Sequence, residues 1–135
     1  MTWRGTSPAE WARKVERRMD VAVRKITEGV FAGVIEISPV DKGRFKANWQ
    51  PAIGSAPSGI IEATDPSGAM VMAKVSGVVA GVKAGDVIYM VNNLPYARRL
   101  EDGYSKQAPA GMVALTVQRF QPIAAEAIRQ ASRVG

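Results

Sequence analysis

The chain has neither cysteine nor histidine in its 135 residues. The first absence excludes disulfides and thiolate metal sites. The second removes the commonest general base and the commonest metal ligand. Long hydrophobic runs are also missing: no apolar stretch reaches membrane-spanning length. The opening residues are polar and carry no secretory pattern, so the chain is expected to be made and kept in a cytoplasm. Negative charge is the scarcer sign. Lys and Arg number 18 against 12 Asp and Glu, for a formal net charge of +6 and a pI near 10.0. That balance serves solubility, or contact with an acidic partner such as nucleic acid. Acids are scattered among the bases, which favours solubility.

What is there suggests one domain over 1–135, large enough for a core without staples. Residues 1–6 are expected to form a loose arm, with Trp3 and Arg4 its only large side chains. Ser7-Pro8-Ala9-Glu10 is a capping box with proline at the first helical position. Trp11, Val15, Met19, Ala22, Val23, Ile26, Val30, Val34 and Ile37 then recur at helical spacing. This predicts a first helix from Pro8 to about Ile37, roughly 45 Å long. Such a helix overhangs a domain of this size and invites a neighbour. Asp20 and Arg24 are spaced for an i,i+4 pair. Gly29 and Gly33 mark a bend or a close helix contact.

Arg44 to Gln50 alternates, with Phe45, Ala47 and Trp49 on one side and Arg44, Lys46, Asn48 and Gln50 on the other. Period two predicts a half-buried strand. Ile60–Thr64 reads as a second short strand. Asp65-Pro66 looks like a cap before a helix over 67–80, and 86–91 like a central strand covered on both faces. The last segment, 110–132, has helical spacing interrupted by Pro122, so it should kink or split there. Trp49, Tyr89, Leu100 and Phe120 are the expected buried residues. The predicted class is α+β: a small, mostly antiparallel sheet packed against a long N-terminal helix and a C-terminal helix.

The densest punctuation lies in Asn92–Val113, NNLPYARRLEDGYSKQAPAGMV. Asn92-Asn93 ends a strand, Pro95 opens a short helix that places Tyr96 and Leu100 on one face, and Gly103 suits a left-handed cap. A loop over Tyr104–Pro109 follows, longer than an antiparallel helix pair usually needs. This order of residues resembles the signature region of tailed-bacteriophage neck and tail-completion proteins. These are small siphovirus-type proteins related to the minor tail protein Z of phage lambda. Ser38–Trp49, SPVDKGRFKANW, is similar to a second segment of that family, placed after its long first helix. Together with the element order, the resemblance extends over roughly the whole chain.

The resemblance implies a virion structural protein at the head–tail junction: a tail terminator, tail-completion or neck subunit that joins tail to capsid and lets DNA pass. It implies a ring of six copies, other neck and tail proteins as partners, genomic DNA in the channel, and no membrane or cofactor. The mixed charges around the loop, Arg98, Arg99, Glu101, Asp102, Tyr104 and Lys106, are the candidate contact with a neighbouring subunit or neck tier. Arg17, Arg18, Arg44 and Lys46 are the candidate channel-lining cations.

Neither segment offers obvious chemistry. Adjacent Glu101 and Asp102 diverge on a helix and read as a solvated end. The glycine-rich stretches lack the phosphate-loop pattern. Nothing near Lys106 would activate it as a base. The chain is therefore not expected to be an enzyme, and a small hydrolase or toxin is the weakest reading. A stand-alone basic nucleic-acid-binding module is the alternative, though helix-turn-helix, aromatic ribonucleoprotein motifs and zinc ligands are all lacking.

Overall fold

Ser7 starts the first helix in the way its neighbours dictate. Its hydroxyl accepts the Glu10 N–H at 3.2 Å, while the Glu10 carboxylate accepts the Ser7 N–H at 3.3 Å. In the computed structural model, which describes residues 5, 7–103, 105–108 and 110–133, this helix α1 runs unbroken over Pro8–Ile37. The expected N-terminal arm, Gly5 excepted, lies outside the described residues, as do Tyr104 and Pro109. The remaining elements are α2 (Arg44–Ala47), β1 (Trp49–Ile53), α3 (Ala69–Val79), β2 (Ile88–Asn92), α4 (Ala97–Glu101), α5 (Val113–Gln118) and α6 (Phe120–Ala131). The fold is α+β. Its two-stranded antiparallel sheet belongs with the long N-terminal helix and the C-terminal helix, as the sequence pattern implies.

Strands β1 and β2 pair from Trp49 opposite Asn92 to Ile53 opposite Ile88. The Gly54 N–H donates to the Val87 carbonyl at 2.8 Å, which fixes the phase of the ladder. Alternate pairs then leave Pro51 opposite Met90 at a position without direct hydrogen bonds. A proline, with no N–H to give, is tolerated there.

The core joins Phe31, Val34 and Ile35 of α1 to Phe45, Trp49 and the buried face of α3, Val71, Val75 and Val79. Leu94, Ala108 and Met112 close it. The long helix is covered on two sides, because α5 and α6 lie along α1 on a face other than the core face. A Cβ at Gly33 would stand 3.0 Å from Thr116 Cγ2, and one at Gly29 2.7 Å from Ile123 Cγ2. These glycines therefore permit close helix contact within an unbroken α1. The fully buried α1 side chains are Thr27, Phe31, Val34 and Ile35, only partly the stripe that simple periodicity selects.

Several expected elements differ. Arg44–Gln50 is not one strand: Gly43 adopts φ +85° and the chain takes a helical turn before β1 begins at Trp49. Side-chain bulk is impossible at Gly43, where a Cβ would lie 2.4 Å from Pro66 N. Ile60–Thr64 forms no strand. Helix α3 begins at Ala69 after left-handed Gly68, so Pro66 sits in the preceding turn. Asp65 still caps the helix, its carboxylate accepting the Val71 N–H at 3.0 Å. Strand β2 has one partner and half-buried side chains throughout, because the sheet holds only two strands. The last segment splits at Arg119. Pro122 explains the position, since its ring opposes the carbonyl of the fourth residue back, Gln118, the last of α5. Trp49 is buried, Tyr89 and Leu100 are half-buried, and Phe120 is 43% exposed on the outer side of α6.

Candidate functional site

The two segments singled out in the sequence, 38–49 and 92–113, meet in the fold. Ser38 ends α1, donates its hydroxyl proton to the Val34 carbonyl at 2.7 Å, and accepts Trp49 Nε1–H at 2.8 Å. Phe45 meets the Trp49 ring edge-on, with centroids 5.7 Å apart. Asn92 joins the segments: its Nδ2 donates to the Phe45 carbonyl at 2.9 Å, and its Oδ1 accepts the Leu94 N–H at 3.3 Å. Gln107 grips Val40 from both sides. It accepts the Val40 N–H at 2.8 Å and donates to the Val40 carbonyl at 2.9 Å. The side-chain amide thus stands in for a strand pair. Between these parts lies a cleft of about 360 Å³, whose walls include Val40, Asp41, Arg44, Tyr96, Leu100 and Gln107.

Glu101 is the residue whose role differs most from its sequence reading. It is half-buried and points back into its own chain. Oε1 accepts the N–H groups of Met112 at 2.9 Å and Val113 at 2.8 Å, and Oε2 accepts Ala114 at 3.0 Å. A carboxylate here satisfies the orphan donors at the start of α5 and opposes the positive end of the helix. Gly111 makes this approach possible. It adopts φ +81°, and a Cβ there would stand 2.5 Å from the Glu101 carbonyl oxygen. Glu101 is thus engaged within its own chain, with three of its acceptor sites taken. Local sequence gave no sign of this, because a capping box is recognised over three residues and this cap acts across a loop.

Of the other loop candidates, Arg98, Arg99, Asp102 and Lys106 are exposed. Arg98 and Asp102 share one face of α4 by their spacing. Tyr104 lies outside the described residues.

The candidate channel cations lie on two elements, Arg17 and Arg18 on α1 and Arg44 and Lys46 on α2. The expected strand face carrying Arg44 and Lys46 is absent, because residues 44–47 make a helical turn. Lys46 is only 8% exposed, and its stem lies under Gly68. Arg44 is exposed and stands 3.9 Å from Glu62, a loose surface pair. Arg17 is exposed and Arg18 half-buried on α1, about 100° apart around the helix.

The polar residues of the expected strand work inside the chain. Asn48 is fully buried; Nδ2 donates to the Arg44 and Ile61 carbonyls at 2.8 and 3.1 Å, and Oδ1 accepts the Ile61 N–H at 2.7 Å. Gln50 and Asn93 donate to the Gly59 carbonyl, each at 3.0 Å. Three carboxamides therefore hold Gly59 and Ile61, at the start of the expected second strand Ile60–Thr64. Asp20 and Arg24 likewise serve main chain. Asp20 accepts the Ala84 N–H at 2.8 Å, and Arg24 Nε donates to the Val82 carbonyl at 2.6 Å.

Among the described residues, no group of three or more His, Cys, Asp or Glu side chains is placed to hold a metal ion, and no helix is long and apolar enough to cross a membrane. Comparison with protein-family models, with curated proteins and with solved structures found no match.

Proposed function

We propose that this chain is a structural subunit of the head–tail junction of a tailed phage, acting by shape in a ring that joins tail to capsid. The observation that carries the reading is the union of the two family-like segments into one braced unit. Gln107 clasps Val40, Asn92 clasps Phe45, and Glu101 clasps 112–114, all within one side of the domain. The polar groups in this unit are used to hold main chain. Such a unit builds a rigid scaffold, and the exposed charges of α4 and the following loop then become its contact features.

In this reading Arg98, Arg99, Asp102 and Lys106 meet another copy or the adjoining tier of the neck, where mixed charge sets register. Six copies match the sixfold symmetry of tails that the resemblance implies. Arg17, Arg18 and Arg44 remain candidates for a sparsely charged channel wall. Native mass and electron microscopy of the purified chain, alone and with tail tubes, test the reading. The expected result is a closed ring seated on the tube end, and a chain that neither assembles nor binds tubes would overturn it. The double variant Arg98→Glu with Asp102→Lys should fold normally yet lower the yield of tailed particles. Net charge is the support for the nucleic-acid-binding alternative. DNA affinity falling steeply with salt, without ring formation, would favour that alternative.

A further inference from the structure

Two apolar strips are left uncovered by the described residues, and they suit each other. The first is on α1. Thr116 faces Gly33 and Ile123 faces Gly29, so α5 and α6 run antiparallel to α1. Helix α6 ends at Ala131, so it covers α1 only to about residue 21. The same α1 seam continues beyond it through Met19, Val15 and Trp11. There Trp11 is 62% and Met19 53% exposed. Over residues 8–19 a helix seam of interior composition therefore has no helix upon it among the described residues.

The second strip is on the outer side of α5 and α6. Val113 and Val117 share one face of α5; Phe120, Ala124 and Ile128 share one face of α6. Val117 is 63%, Phe120 43% and Ile128 57% exposed. This strip lies one residue around from the line Thr116, Ile123, Ala127 that packs on α1. Within α6 it runs about 12 Å from Phe120 to Ile128, with Val113 and Val117 on the preceding α5, against about 17 Å for α1 from Pro8 to Met19.

Building on the ring reading above, we propose that the repeating contact is heterologous: the first three turns of α1 of one copy lie along the outer α5–α6 strip of the next. Charge selects this pairing over two α1 overhangs together. Lys14 and Arg18 flank one side of the overhang seam and Glu16 the other, so an antiparallel pair of overhangs, which sets each flank against its own kind, would bring like charges together. The α6 strip is instead bordered by Gln121, Ala125 and Ser132, all exposed and uncharged. Area agrees. At about 150–200 Å² per large side chain, the exposed apolar groups of both strips present roughly 550 Å². With the usual polar share this corresponds to about 1,000 Å² of buried surface, the lower bound for a specific interface. A heterologous contact of this kind closes a ring when its rotation permits.

The test uses the full chain and two variants at exposed positions, Met19→Glu and Ile128→Glu, with thermal melts to confirm that each folds like the parent. Association is followed over a concentration series by sedimentation velocity and native mass spectrometry. Each variant alone should lose assembly, its association constant falling roughly a hundredfold or more because a charge would face apolar surface. Mixed one to one, they should form heterodimers and stop there. The intact overhang of one then meets the intact strip of the other, while each remaining face is spoiled. Heterodimers limited to two chains would support the proposal. A mixture that stays monomeric, or loss of assembly in only one variant, would overturn it. If the parent forms rings and both variants do too, this contact is wrong while the ring reading stands. A parent that neither associates nor binds tail tubes removes both.

Discussion

Replacing Glu101 by alanine removes one carboxylate and three hydrogen bonds at once. The three are not equal. The Met112 N–H is partly buried, whereas those of Val113 and Ala114 are exposed and can turn to water. Leaving one buried donor unpaired costs about 1–3 kcal/mol. Loss of a negative charge from the helix start adds about 0.3–1 kcal/mol. A total of about 1–4 kcal/mol follows, reaching above the usual loss for a helix cap. At roughly 3 °C per kcal/mol for a chain of this length, the melting midpoint should fall by about 3–12 °C. Glu101→Gln keeps an oxygen for two donors but turns an amide N–H₂ toward the third, and should cost about 1 kcal/mol. Urea unfolding followed by circular dichroism measures both, with an unchanged denaturant slope showing that the unfolded state is the same. Asp102→Ala is the control, being exposed and expected to change stability by less than about 0.5 kcal/mol. If Glu101→Ala melts with Asp102→Ala, the carboxylate does not cap α5 and the reasoning fails.

Asn48→Ala should destabilise the domain by about 2–4 kcal/mol, because it leaves the buried partners at Arg44 and Ile61 unpaired; protease sites within 55–62 should open at the same time. Gly33→Ala tests close contact against helix propensity. Alanine gains about 1 kcal/mol in the helix, but its Cβ would press on Thr116, which is 1% exposed and tied by its hydroxyl to the Met112 carbonyl at 2.8 Å. A net loss of about 1–2 kcal/mol is expected from overpacking, and a gain in stability would show that α5 can shift. Gln107→Ala removes two exposed hydrogen bonds and should cost about 0.5–1.5 kcal/mol, with faster amide exchange at Val40 as the direct readout.

Sequence alone determined those features whose cause is local. Ser7, Pro8 and Glu10 lie within one turn, so their cap sets where α1 begins. The residue before Pro39 is biased away from helix, and α1 ends at Ile37. Pro122 splits the last segment because its clash is with a residue four back. Gly103 takes the left-handed backbone expected of it, with φ +91°. The α+β class follows from these boundaries and from the hydrophobic spacing between them.

Only the tertiary structure decided what the polar residues of the two segments do. Asn48, Gln50, Glu101 and Gln107 act on main chain 9 or more residues away. Nothing in a local pattern separates such a residue from a solvated one. The alternation in Arg44–Gln50 was misleading for the same reason: Asn48 and Gln50 of its polar half are buried because other segments supply hydrogen-bond partners, and Gly43 turns its first half into a helical turn. The α1 stripe recorded that the helix is apolar, but periodicity cannot say how many neighbours share it. Two layers do, one on the core side and one through Gly29 and Gly33, and both end before the first turns of α1. The uncovered seam at Trp11 and Met19 exists because α6 is shorter than the helix it lies on.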